Sequence, residues 1–382
     1  MAMASPAQVH VQHDDDSTIS MELDLPQELT TEILTRLPVK SLLRFTAVSK
    51  AWRSLIRSPA FAAAHTRLSG AGFRRLFLIA SVAGQGRHTS VHSLARENGD
   101  SSPAFATLHQ LDSSPACPCK SPTILGACHG LICLSAGLCK LLLWNPSTRT
   151  SRVFPDPLGS SGCYVRFGFG YDDHAQDYKV VKICSSESSS NQYENRVQIY
   201  SLKPDSWISI PGFSSGYING KYGVFLNGAL HWDLRRGEYP SEILAVDLEK
   251  EDRYRTIPIP GWDYENRKST LKLEVLGGCL AACLFSSSKK TMEVWVMEEY
   301  GVAGSWTRVV SVSLAGGGDL RGHVSVLYMS DDRTQFLFNL GNQLVSYNNV
   351  NGGSFKKLER YDWTFALHLQ SAIYSESISL LA

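Results

Sequence analysis

Six side chains able to hold a metal crowd one stretch: Cys117, Cys119, Cys128, His129, Cys133 and Cys139. A zinc site wants paired ligands at a tight, repeated spacing. Here one Cys-x-Cys pair is followed by single cysteines inside apolar runs, where a thiol acts as a small hydrophobe. The pattern predicts no metal site. His231, beside Trp232 and Asp233, could serve as a general base. Its place within an apolar run reads instead as a strand histidine with its ring nitrogens satisfied. Gly168-Phe169-Gly170 is followed by Tyr-Asp rather than by a helix start, so it is no dinucleotide loop. The chain carries no H-E-x-x-H, no G-x-S-x-G and no G-x-x-x-x-G-K-[ST] motif. The serine-rich run 185–190 reads as a solvated loop that could be phosphorylated. The sequence therefore predicts neither a catalytic group nor a cofactor.

Composition narrows the class further. The chain has 382 residues, 43% hydrophobic and 19% charged, which suits a globular protein of two or three domains. Its 37 basic and 36 acidic residues nearly cancel. The Lys289-Lys290 and Arg235-Arg236 pairs are too sparse for a nucleic-acid surface. No run approaches the ~18 apolar residues that a membrane span needs. Nine cysteines without repeated spacing, and a first stretch with no basic or apolar leader segment, predict reduced thiols in the nucleus and/or cytoplasm. Residues 1–22, small and polar and holding His10, His13 and Asp14 to Asp16, read as a disordered tail.

The elements begin with a helical head. Between Leu23 and Ser58 the chain packs more apolar residues than about 36 residues can bury alone. Pro26 suits the first position of a helix. Leu29, Ile33, Leu34 and Leu37 form its apolar stripe, and Pro38 stops it. Ser41 can start a second helix with Leu42, Leu43 and Phe45. Ser49 can cap a third, Lys50 to Arg57, and PAFAAAHTRL adds a last turn or two.

The run Leu25-Pro26, Ile33-Leu34, Leu37-Pro38, Leu42-Leu43, Val48-Ser49-Lys50 and Trp52 resembles the F-box, over residues 23–68. The resemblance implies a helical module that binds the Skp-type adaptor of a cullin-RING ubiquitin ligase. It implies adaptor contact by Leu25, Pro26, Ile33, Leu34, Leu37, Pro38, Leu42, Leu43, Val48 and Trp52, without separating self-packing from partner-packing. Half of the surplus apolar surface would then be interface.

From Phe73 onward the period becomes that of strands. One strand family starts at 76, 131, 180, 230, 280 and 336, about 50 residues apart, and each start opens a set of similar strands. Four-stranded units at that period mark a kelch-like β-propeller. Six units are counted; five or seven would follow if a terminal unit were misread. The first unit lacks a leading strand and residues 365–381 hold a spare one, which predicts that the C-terminal strand completes the first blade. CHGLICL, WNPSTR, FGFGYD, DYKVVKI, VQIYSL and LNGALHW resemble the plant F-box-associated domain, so the likeness covers 73–382. The expected architecture is a small all-α module followed by an all-β propeller. His129-Gly130, Asn145-Pro146, Asn227-Gly228 and Gly277-Gly278 read as turns, and Trp144, Trp232, Trp295 and Trp306 as core.

The two resemblances together imply a non-catalytic substrate-recognition subunit, joined through the adaptor to a cullin, which presents an unknown protein substrate. The alternatives are an adaptor-bound scaffold outside a ligase, a propeller enzyme, and an interaction propeller with a degenerate F-box. Substrate would meet loops on one face of the ring, with Tyr217, Trp262, Tyr264 and Tyr300 as aromatic anchors.

Overall fold

The computed structural model describes residues 26–68, 74–82, 88–97, 104–111, 122–135, 140–155, 163–187, 193–214, 216–237, 241–250, 254–260, 269–286, 288–314, 324–340, 343–357 and 366–379. The tail 1–22, Leu25, Cys117, Cys119, Cys139, Trp262 and Tyr264 lie outside them.

Four helices come first: α1 (Gln27–Thr35), α2 (Val39–Phe45), α3 (Lys50–Ile56) and α4 (Pro59–Leu68). Pro26 is the N-cap of α1 rather than its first helical residue. Pro38 caps α2 in the same way, so the second helix starts at Val39, two residues before Ser41. Proline fixes its own φ and lacks an N–H, so it serves as well just before a helix as just inside one. Ser49 caps α3 as its type predicts, its Oγ accepting from the Trp52 N–H at 3.1 Å. Ser58 does the same for α4 through the Phe61 N–H at 3.2 Å. That cap turns the expected last turn into a ten-residue helix.

Twenty-four strands follow among the described residues. They are β1–β3 (Arg74–Val82, His88–Glu97, Ala104–Leu111), β4–β7 (Thr123–Cys128, Leu131–Ser135, Lys140–Asn145, Thr150–Pro155) and β8–β11 (Tyr164–Asp172, Asp177–Glu187, Tyr193–Ser201, Ser206–Phe213). Next come β12–β15 (Tyr217–Leu226, Ala229–Arg235, Glu242–Asp247, Tyr254–Pro258), β16–β19 (Ser269–Leu276, Cys279–Ser286, Thr291–Met297, Trp306–Ser313) and β20–β23 (Val324–Met329, Gln335–Leu340, Gln343–Asn348, Ser354–Lys357), then β24 (Ala366–Ser375). They build four-stranded antiparallel sheets and one eight-stranded sheet. The latter is two such meanders joined by a short parallel bridge, Tyr222 to Phe167 and Gly223 to Gly168. The first sheet runs β24-β1-β2-β3, so the C-terminal strand supplies its missing leading member.

Leading strands touch in order: β24 meets β4, β4 meets β8, β8 meets β12, β12 meets β16, β16 meets β20, and β20 returns to β24. A sheet with two apolar faces must cover both, and apolar clusters fill the gaps between neighbouring sheets. Trp144 and Trp232 are buried in such clusters, and Trp295 and Trp306 pack against another. Three hairpins close on two positive-φ residues each, at His129-Gly130, Asn227-Gly228 and Gly277-Gly278. That is the turn whose twist matches paired strands.

Head and sheets are joined a second time, far from their covalent link. After β24 the chain passes under the head and buries Ile378 (3% exposed) among Leu34, Val39, Leu42, Ile56, Phe61 and Ala62. Asn145 fastens this segment. Its Nδ2 donates to the carbonyls of Ser377 (3.0 Å) and Ser379 (2.9 Å), while its Oδ1 accepts from the Ser147 N–H at 2.9 Å.

Candidate functional site

The head has a completed core and an uncovered apolar surface, and the two use different residues. Leu34 and Leu42 are buried in the chain's own packing, where no partner could reach them. Leu37 and Trp52 are half-buried at the rim of that core, Trp52 edge-on to Phe45 at 5.5 Å. Ile33 (52% exposed), Val48 (62%), Leu43, Pro26 and Pro38 face outward, together with Leu29 (48%), which the motif comparison passed over. Leu29 and Ile33 are four residues apart and share one face of α1. Their spacing was visible in the sequence; their outward direction was not. The head's buried imidazole is internal as well: His65 Nε2 lies 2.9 Å from the Leu37 carbonyl. Apolar side chains left in water this way each gain about 2 kcal/mol when a partner covers them.

The sheets surround a cavity of about 950 Å³, lined mainly by the leading strands. Lys272 and Glu274 pair across 3.0 Å in its wall. Among the described residues, no three His, Cys, Asp or Glu side chains converge as metal ligands would. Cys128 and Cys133 are buried, and burial pushes both thiols up, away from the reactive thiolate. His129 stands at its turn edge-on to Tyr171, 4.6 Å away.

His231 is fully buried, and both ring nitrogens are engaged. Nδ1 lies 3.0 Å from the Val224 carbonyl, which can only accept, so Nδ1 carries the proton. Nε2 then accepts from the Tyr300 hydroxyl at 2.7 Å, and that hydroxyl receives the Arg255 guanidinium at 2.6 Å. Burial pushes the imidazole down to about 4, with Arg255 adding to it, so the ring is neutral at pH 7. Tyr300, expected as a substrate anchor, is thus part of an internal fastener. Tyr217 stands half-exposed, its ring 5.2 Å from that of Tyr193.

The FGFGYD and DYKVVKI phrases meet in a buried ion pair, Lys179 Nζ to Asp172 Oδ2 at 2.9 Å. Lys179 also donates to the Leu248 carbonyl of the next meander at 2.9 Å. Burial alone would raise the Asp172 carboxyl. The Ala175 N–H and the Lys179 ammonium outweigh it and hold the group below its ordinary value.

A helical head with a spare apolar face, fixed to a ring-like set of four-stranded sheets, matches two known families. Residues 22–62 match the F-box domain, and residues 88–361 match the F-box associated beta propeller domain. The chain belongs to the F-box proteins that carry this propeller domain. An F-box/kelch-repeat protein of Arabidopsis thaliana is 30% identical over 343 residues, which is 86% of this chain and 89% of that protein. The Arabidopsis thaliana F-box protein CPR1 is 30% identical over 349 residues, 83% of this chain and 80% of that one. An F-box domain indicates binding of a Skp-type adaptor, and F-box proteins of this type are typically non-catalytic substrate adaptors.

Proposed function

We propose that this F-box protein is the substrate-recognition subunit of an SCF-type ubiquitin ligase. The helical head docks a Skp-type adaptor and, through it, a cullin. The sheets close as six blades and hold a protein substrate. The chemistry of ubiquitin transfer resides in other subunits. This chain contributes proximity: it raises the effective concentration of a charged ubiquitin enzyme beside substrate lysines. It works wherever adaptor and cullin occur, in the nucleus and/or cytoplasm.

The observation that carries this reading is the division of the head. Leu34, Leu42, Ile56 and Phe61 complete a core, so Leu29, Ile33, Leu43 and Val48 are surplus to folding. The test is co-purification with a Skp-type adaptor and a cullin. Wild type is expected to capture both. Ile33→Asp and Val48→Asp, which place a charge in a contact that must desolvate, are expected to lose capture by about a hundredfold or more while keeping the wild-type circular dichroism spectrum. Capture unchanged in both variants rules out this docking surface. A wild-type chain that captures the adaptor but supports no ubiquitin transfer to a bound partner acts as a scaffold instead.

A further inference from the structure

A four-stranded meander begins and ends at the same end of its sheet. Residues 214–216 alone join β11 to β12, so successive leading strands all start at one face. The head lies at the opposite face, where β24 ends and Ile378 enters it. Three strands bring tyrosines to the face away from the head. Tyr164 starts β8, Tyr193 starts β10 and Tyr217 starts β12. Between them lies Arg166.

Arg166 is half-buried, yet no described carboxylate pairs with it. Its Nε donates to the Ile218 carbonyl at 3.2 Å and its Nη1 to the Val165 carbonyl at 3.1 Å. Its guanidinium carbon stands 5.9 Å from the Tyr164 ring centroid. Several charged side chains near it are committed elsewhere, while Lys221 on β12 is exposed. Arg235 pairs with Asp233 at 3.3 Å, Arg236 with Glu242 at 3.2 Å, and Glu187 is hydrogen-bonded by Tyr193. Burial depresses the Arg166 guanidinium, while Tyr164, Tyr217 and Tyr222 act in the opposite direction. A desolvated cation with N–H groups to spare attracts an anion, and a fork of two N–H groups fits a carboxylate. A phosphate carries nearly two charges and calls for a second unpaired cation. The flat rings around Arg166, Tyr164 60% exposed among them, offer apolar contact beside the charge.

We propose that Tyr164, Arg166, Tyr193 and Tyr217 form the substrate-docking surface, and that it takes a peptide segment in which one Asp or Glu adjoins an apolar side chain. The proposal rests on the substrate-receptor reading. It also places substrate on the side away from the adaptor, where both can bind at once.

The test pans a displayed library of random, unphosphorylated dodecapeptides against the immobilised full-length chain. Recovered peptides are expected to share an acid beside an apolar residue. A synthetic copy should lose about tenfold or more in affinity when its acid becomes the amide, and equally on Arg166→Gln. Because Arg166 also braces a β12 carbonyl, Tyr164→Ser is tested beside it; this exposed ring should cost several-fold with an unchanged melting temperature. No recovered binder, binders without an acid, or binding indifferent to both variants overturns the proposal. Tenfold tighter binding of a phosphoserine version overturns the choice of a carboxylate. Adaptor capture by the same preparations reads the ligase role separately: peptide binding without adaptor capture removes that role and leaves the docking surface standing.

Discussion

At the scale of single residues, the charges that matter are those removed from water. His231 has a folded pKa of about 4, below its ordinary value near 6.5. Between those values the unfolded chain binds the proton and the folded chain does not, so stability falls as pH drops through that window. Urea melts at pH 7 and pH 5 should show wild type losing on the order of 2 kcal/mol more than His231→Gln loses over the same range. Lys179 and Asp172 stand the other way round, charged and paired. Lys179→Met leaves a buried carboxylate without its cation and should cost about 3 kcal/mol in denaturant unfolding. Adding Asp172→Asn should recover most of that loss. The sequence disclosed His231 as a strand residue because apolar neighbours flank it. It did not disclose Arg166, whose distinction lies in the partners it lacks, and that is settled only when β8, β10 and β12 come together. Asn145 was legible as a turn former but not as the clamp on residues 377–379, for the same reason.

At the scale of elements, backbone and neighbours decide which substitutions are tolerated. Gly130 and Gly278 hold equivalent places in two hairpins, at φ of 81° for both. A Cβ at Gly278 would meet nothing within 4 Å, whereas one at Gly130 would sit 2.1 Å from Ser377 Cβ. Gly278→Ala should therefore cost only the left-handed penalty of about 1–2 kcal/mol. Gly130→Ala should cost clearly more and should expose the segment after β24 to proteolysis, which limited chymotrypsin digestion, cutting after Tyr374 and Leu380, would detect. The strands were legible because alternation and a period of about 50 residues repeat along the whole domain. The inward and outward faces of the head were not. Ile33 and Leu34 are alike in type and adjacent in the chain, and a module apolar on both sides has no polar face to mark solvent. This is why Leu34→Asp should unfold the head while Ile33→Asp should only strip it of a partner.

At the scale of the whole molecule, the chain closes on itself twice in one place. β24 completes the first sheet, and the next few residues complete the core of the head. Ile378→Ala should destabilise the head by about 3 kcal/mol, the usual cost of a cavity in a packed core. It should also weaken adaptor capture, although Ile378 is more than three hundred residues from α1 in sequence. A propeller destabilised uniformly would instead show one lowered transition with capture intact below it. The spare C-terminal strand could be read from the surplus of units over leading strands. Its continuation into the head could not, since one isoleucine in a serine-rich stretch announces no address.

The same feature bears on how the protein is made. Translation delivers the head first, but its core and the first sheet both wait for residues 366–379, which emerge after every other described element. Until then the nascent chain offers a head without its plug and a sheet with an open edge. A chain shortened to end before residue 366 should therefore melt at a lower temperature in its head and capture a Skp-type adaptor less well than the full chain, which thermal melts and co-purification of the two would show.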